Sequence, residues 1–263
     1  MTTLKIIHLS DLHIGGDNDE AGQLRRIVRK LKKYYAGHPV VITGDVVESG
    51  RLGEMARAET ILDNLAETNP IVVVPGNHDY AWYGLVRNSR NSKVWAEELG
   101  DPMGPWKKHI PRPWMKNGLG VLDTPEFRLI GLDTGDPNDE ERAARGYVSN
   151  GLLEHLAEAL ENVSSKLRIV IMHHHPFDDG HFVKLVGAEK LMATLSGNCE
   201  MLLFGHKHKF GIWRGQHGIP FICASHKSTA PAMGDHLGVG VVQVTIGGGL
   251  GGSHAFWHRM EMI

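Results

Sequence analysis

Apolar positions recur along the chain in two alternating rhythms. Residues 4–9 (LKIIHL) form a short apolar run that stops at Ser10-Asp11, and Leu24, Ile27, Val28 and Leu31 follow at helical spacing. The alternation repeats with a run at Val40–Thr43, a helical stripe over 55–65 through Ala58, Ile61 and Leu62, and a third run at Ile71–Val74 halted by Pro75-Gly76. A β-α-β-α-β order with uninterrupted apolar strands predicts an α/β fold whose strands are covered on both faces. Ligands in such folds gather beyond the carboxyl ends of the strands.

Residues 84–116 break the rhythm. They hold Trp95, Trp106, Trp114 and seven basic residues against three acidic ones, which reads as an inserted, cap-like segment able to hold a phosphate or stack a base, or to form a small core of its own. Beyond it, 118–122 and 127–132 read as a hairpin, and Leu152, Leu153, Leu156 and Leu160 as an amphipathic helix. Strand-like runs resume at 167–172, Met201–Phe204, 220–224 and 239–246, and a glycine cluster at 247–249 and 251–252 reads as a turn before a last strand at 254–260. That cluster lacks the Lys and Ser/Thr of a P-loop. With no low-complexity linker, the expectation is a single domain over 1–263.

Composition narrows the class. With 263 residues, 41% of them apolar, the chain is long enough for a substantial core, and a net charge of −2 gives it no overall basic field for duplex nucleic acid. No apolar run approaches the roughly 20 residues that span a bilayer, and the N-terminus reaches Asp11 without a signal-peptide pattern, so a cytoplasmic location with no membrane partner is expected. Cys199 and Cys223 fit neither a disulfide framework nor a CxxC site and read as small buried hydrophobes. No periodic apolar stripe marks a homodimer face; the Trp-rich segment and the Gly-rich tail are where one would form.

The informative count is 17 histidines, because of where they fall. The strand-like runs are followed by Asp11-Leu12-His13, Gly44-Asp45, Gly76-Asn77-His78-Asp79, His173-His174-His175-Pro176 and Gly205-His206-Lys207-His208. Each alone has a bland reading, such as a helix cap, an Asx turn or a structural imidazole. Together, at equivalent strand ends, they read as one site. If these segments are extended, residues two apart share a face, so Asp11 with His13, and His206 with His208, aim into it. Carboxylate, amide and imidazole without thiolate suit Mn²⁺, Fe or Zn²⁺, and seven candidate ligands suit two ions sharing a carboxylate.

The set DxH, GD, GNHD, HHxP and GHxH, in this order from Asp11 to His208, resembles the signature of the calcineurin-like metallophosphoesterases, and Gly131-Leu132-Asp133-Thr134-Gly135 with Gly146 resembles their bacterial cyclic-nucleotide phosphodiesterase branch. The resemblance implies a four-layer α/β/β/α sandwich and a dinuclear centre of two divalent ions: Asp11, His13 and His208 at the first, Asn77, His174 and His206 at the second, Asp45 between them. Counting back from the proline selects His174, whereas counting from the apolar run selects His173; the expectation is His174. By the same resemblance His78 contacts the scissile phosphate and assists the leaving oxygen, Asp79 orients its ring, and attack is by a metal-bridging hydroxide. Asn77, His78 and Tyr80 are the candidate substrate contacts; Tyr80, Trp82 and Tyr83, directly after the GNHD block, either line the pocket mouth or anchor the loop beneath it, and His181 and His226 are further pocket-lining candidates.

Where protein phosphatases of this superfamily carry an Asp-Arg pair after the GD motif, this chain has Glu48-Ser49. Losing that arginine removes a bidentate phosphate contact and favours diesters, which carry one negative charge. A cyclic nucleotide or similar small phosphodiester is therefore the expected substrate. The alternatives are a DNA or RNA nuclease, against which the near-neutral charge argues, a phosphomonoesterase, and a non-catalytic scaffold, against which the complete ligand set argues.

Overall fold

The central strands of this protein pack apolar side chains on both of their faces. The structure, a computed structural model, describes residues 2–84, 86–87, 89–108, 110, 112–135, 143–161, 166–177, 183–233, 236–246 and 254–263. The elements run β1 (Thr2–Leu9), α1 (Glu20–Tyr34), β2 (Val40–Thr43), α2 (Leu52–Ala66), β3 (Ile71–Val74), α3 (Asn77–Tyr80), β4 (Ala81–Trp82), β5 (Val86–Arg87), α4 (Ser89–Glu98), β6 (Met115–Lys116), β7 (Leu119–Asp123) and β8 (Phe127–Leu132). They continue with α5 (Asn150–Leu160), β9 (Leu167–Ile171), α6 (Ala188–Leu195), β10 (Met201–Phe204), β11 (Gly211–Gln216), β12 (Ile219–Ala224), β13 (Pro231–Met233), β14 (His236–Ile246) and β15 (Ala255–Met262).

Two large sheets result. One has the order β13-β14-β1-β2-β3 with β15 beside β14, and the other β11-β12-β10-β9-β8-β7-β6. β1, β2 and β3 are mutually parallel, as are β8, β9, β10 and β12. The period-2 alternation of side chains sorts the core into layers. Ile7, Leu9, Val40, Ile42, Ile71 and Val73 pack with Leu24, Ile27, Ile61 and Leu62 of α1 and α2. Ile6, Val41 and Val72 pack instead with Ile169, Ile171, Leu203 and Phe221 of the opposite sheet. On its far face that sheet offers Val170, Leu202 and Phe204 to Leu156 of α5 and Leu191 of α6. Helix, sheet, sheet, helix is the expected four-layer α/β/β/α order, and each fully buried Leu, Ile or Val contributes about 1.5–3 kcal/mol of burial.

The tryptophans of 84–116 join these cores. Trp95 packs with α1 and α2, while Trp114 lies between the sheets, its ring against Gly120 and Gly131. Trp106 faces Phe127 at 6.2 Å, beside Pro39 and Pro70 at the amino ends of β2 and β3. None of the three is placed to stack a base beyond the strands' carboxyl ends. The glycines at 247–249 and 251–252, and His181, lie outside the described residues. Among the described residues no helix is long and apolar enough to cross a membrane. Cys199 and Cys223 are buried free thiols whose pKa values burial pushes up to about 12.

Candidate metal centre

The coordinating residues follow the carboxyl ends of β1, β2, β3, β9 and β10, so the two sheets deliver them to one edge of the sandwich. They are not on extended backbone. Asp11 (φ 52°), His13 (φ 49°), Asp45 (φ 51°), His206 (φ 76°) and His208 (φ 54°) all sit in the left-handed region, where a side chain costs about 1–2 kcal/mol per residue. The paired aim expected from strand alternation is thus achieved by turns just past the strands. Gly44 (φ 85°) is required beside them, because a Cβ there would lie 2.6 Å from His173 Nδ1. At Gly76 a Cβ would collide with the Asp45 carboxylate.

Two groups form. In the first, His13 Nε2 lies 3.0 Å from His208 Nε2, which lies 3.4 Å from Asp11 Oδ1. In the second, Asn77 Oδ1 stands 3.1 Å from both His173 Nε2 and His206 Nδ1. Asp45 stands between them, Oδ2 being 3.9 Å from His13 Nε2 and 3.2 Å from His173 Nε2, while its Oδ1 accepts from the His78 amide at 2.9 Å.

The histidine triplet splits three ways. His173, not the expected His174, enters the second group, because its Nδ1 donates to the Thr43 carbonyl at 2.8 Å and so turns Nε2 toward Asp45 and Asn77. The His174 ring turns to Thr134, with Nδ1 2.7 Å from Oγ1, and packs against Gly146. His175 packs edge-on against Phe204.

Two further expectations change. Asp79 does not reach the His78 ring: its Oδ1 accepts from the Val46 and Val47 amides and its Oδ2 from the Gly76 amide, so it ties the Asp45 turn to the start of α3. Neighbours on a helix point about 100° apart, which separates the two side chains. Glu48, which sequence reasoning did not select, takes the orienting place: its backbone carbonyl accepts from His78 Nδ1 at 2.7 Å and its Oε2 from His13 Nδ1 at 2.8 Å. Its position three residues after Asp45 was the available signal. Tyr80, expected to touch substrate, is buried edge-on to Trp95 with its hydroxyl donating to Asp133 Oδ2. Of the aromatics after the GNHD block, exposed Tyr83 lines the cavity over the first group. His226 is buried and does not line that cavity.

The donor set fits a metal. His13 and His173 each donate their outer ring N–H to an oxygen, which aims Nε2 at the cluster, as in metal-binding histidines. Asp11 and Asp45 are buried, and among the described residues their charged partners are imidazoles, with no Lys or Arg. Burial opposes their ionisation, yet His208 holds the Asp11 carboxyl below its ordinary range, and His173 and His78 hold Asp45 well below. His173 pays the desolvation of a buried ring but is raised to about 9 by Asp45, whereas burial and the His173 charge lower His206 to about 3. Two buried carboxylates among imidazole rings call for positive charge, and oxygen with imidazole but no thiolate suits Mn²⁺, Fe or Zn²⁺.

The comparisons agree with this architecture. A 3',5'-cyclic adenosine monophosphate phosphodiesterase, CpdA, from Pseudomonas aeruginosa is 23% identical over 78% of this chain and 69% of its own length. A glycerophosphodiester phosphodiesterase, GpdQ, from Enterobacter lignolyticus is 24% identical over 67% of this chain, which spans only 58% of that relative. A dimetal phosphatase from Danio rerio shares the fold with a TM-score of 0.62 at 16% identity, covering 91% of this chain and 95% of that one. The profile of the calcineurin-like phosphoesterases matches residues 4–210, and the chain belongs to that family of metal-dependent phosphoric ester hydrolases.

Proposed function

We propose that this chain hydrolyses a small phosphodiester, such as a cyclic nucleotide, at a site for two divalent ions. Asp11, His13 and His208 would hold one ion, Asn77, His173 and His206 the other, and Asp45 would serve both; the observation that carries this reading is Asp45 standing between the two groups. When bound, the ions supply Lewis-acid neutralisation of phosphate charge and lower the pKa of water toward neutrality.

The chain's own residues supply positioning and a proton. With Nδ1–H committed to the Glu48 carbonyl, His78 presents Nε2 to the cavity, and the Glu48 carboxylate lies 3.6 Å from the ring. A protonated Nε2 is placed to donate to the leaving oxygen. Asn77 is fixed by donating from Nδ2 to the Gly84 carbonyl, so its amide oxygen keeps its aim.

Diester preference rests on Ser49. Its amide and hydroxyl both donate to Glu54, so this position closes the first turn of α2 and offers no fork to a dianionic monoester. The two relatives named above are phosphodiesterases by name, and a cavity of about 310 Å³ over His13, His78 and His208 suits a small substrate. Hydrolysis of bis(p-nitrophenyl) phosphate against p-nitrophenyl phosphate, after chelation and Mn²⁺ add-back, tests the reading. Metal-dependent cleavage that favours the diester is expected, and preference for the monoester overturns it.

A further inference from the structure

The cavity over the first metal group is lined by His13, His78 and His208 and also by Glu20 and Lys227. Lys227 is the one Lys or Arg among the described residues that line it. It sits in the turn after β12, and that turn is stitched to the metal-bearing turn after β1. The Ser228 amide donates to the Ser10 carbonyl at 3.0 Å, the Ser10 amide donates to Ser228 Oγ at 3.0 Å, and Thr229 Oγ1 donates to the Leu12 carbonyl at 2.9 Å. These bonds bracket Asp11, so Lys227 is held in register with a metal ligand although the two are far apart in sequence.

The ammonium is also aimed. Lys227 Nζ donates to Glu20 Oε1 at 3.0 Å, and Glu20, whose side chain is 1% exposed, is itself fixed by accepting from the Asn18 amide at 3.1 Å. An ammonium has three donors, and one is used by Glu20. A cation pre-ordered in this way loses little further freedom when it meets an anion.

We propose that Lys227 binds the phosphate anion of the substrate, the task that an arginine at the position of Ser49 would otherwise perform. The inference rests on the phosphoesterase reading above. A single ammonium is a point charge rather than a bidentate fork, and it matches the one negative charge of a diester.

Phosphate binding tests it, measured by calorimetry with inorganic phosphate on Mn²⁺-reconstituted protein, alongside KM and kcat for bis(p-nitrophenyl) phosphate. The telling comparison is Glu20→Gln against the double variant Glu20→Gln/Lys227→Met, because the double variant removes the lysine without stranding a buried carboxylate. Charged hydrogen bonds of this kind set the expected change: phosphate affinity within about threefold of wild type in Glu20→Gln, and weaker by roughly ten- to a hundredfold in the double variant. KM should rise by a similar factor with kcat moved far less, and Lys227→Arg should retain most of the affinity. Equal phosphate affinity in the two variants, or no measurable phosphate binding by the wild type, overturns the proposal. If diester hydrolysis is intact while affinity ignores Lys227, this inference fails and the phosphodiesterase reading stands. If no diester is cleaved yet affinity follows Lys227, the reverse holds.

Discussion

His173 and Thr43 are joined across the two sheets: Nδ1 of the histidine donates to the threonine carbonyl at 2.8 Å, at the last residue of β2. This bond selects which member of the triplet faces Asp45. It predicts that His173→Ala loses about one divalent ion per chain, while His174→Ala, whose ring is turned to Thr134, keeps both. Metal analysis after dialysis of the two variants distinguishes them, and loss of an ion from His174→Ala alone would reverse the assignment.

Asp79 gathers three backbone amides, from Val46, Val47 and Gly76, and so joins the Asp45 turn to the Asn77 turn. An amide in its place keeps one acceptor oxygen and turns an NH₂ toward a donor. Asp79→Asn is expected to lower stability by about 2–3 kcal/mol and to weaken metal binding roughly ten- to a hundredfold. Denaturant unfolding of the chelated variant and a metal titration check the two effects separately. Wild-type stability with altered activity would return Asp79 to a direct role at His78.

A pH effect arises at His8, which is not among the proposed metal ligands. The buried His8 ring, bonded to Thr43 Oγ1, has its pKa lowered from 6.5 to about 3 by burial first and then by His258. The folded chain keeps it neutral while the unfolded chain protonates it near 6.5, so between those values the unfolded state binds about one more proton. Stability from this group therefore falls as pH drops through that window, at up to about 1.4 kcal/mol per pH unit. In chelated His8→Gln the slope of unfolding free energy against pH between 6 and 4 should be smaller by about one proton. An unchanged slope would mean that His8 is not held neutral.

The central strands and their order were legible because they are buried on both faces. Val40–Thr43, Ile71–Val74 and Met201–Phe204 are continuous apolar runs bounded by glycine, proline or polar ligands, and their bounds are those of the elements. β11 was not legible: its sequence GIWRGQ is largely exposed and has no alternation, and the strand exists because it pairs with β12. α6 was missed as well, being only eight residues long. At the site, residue identity located the groups but not their geometry. Nothing in the run His173-His174-His175 tells which ring meets a carbonyl of the opposite sheet, and that contact is what selects His173. The role of Asp79 was hidden for a related reason, since its partners lie on a loop more than thirty residues earlier in the chain. Tyr80 and Trp95 looked available as aromatics, and only packing reveals that each is buried against the other.

Diester hydrolysis by two ions should track the number of ions bound. Chelated protein titrated with Mn²⁺ should show bis(p-nitrophenyl) phosphate cleavage rising to a plateau at two ions per chain, with Asn77→Ala and His173→Ala binding one ion and losing nearly all of that rate. A plateau at a single ion, or full activity in His173→Ala, would contradict it.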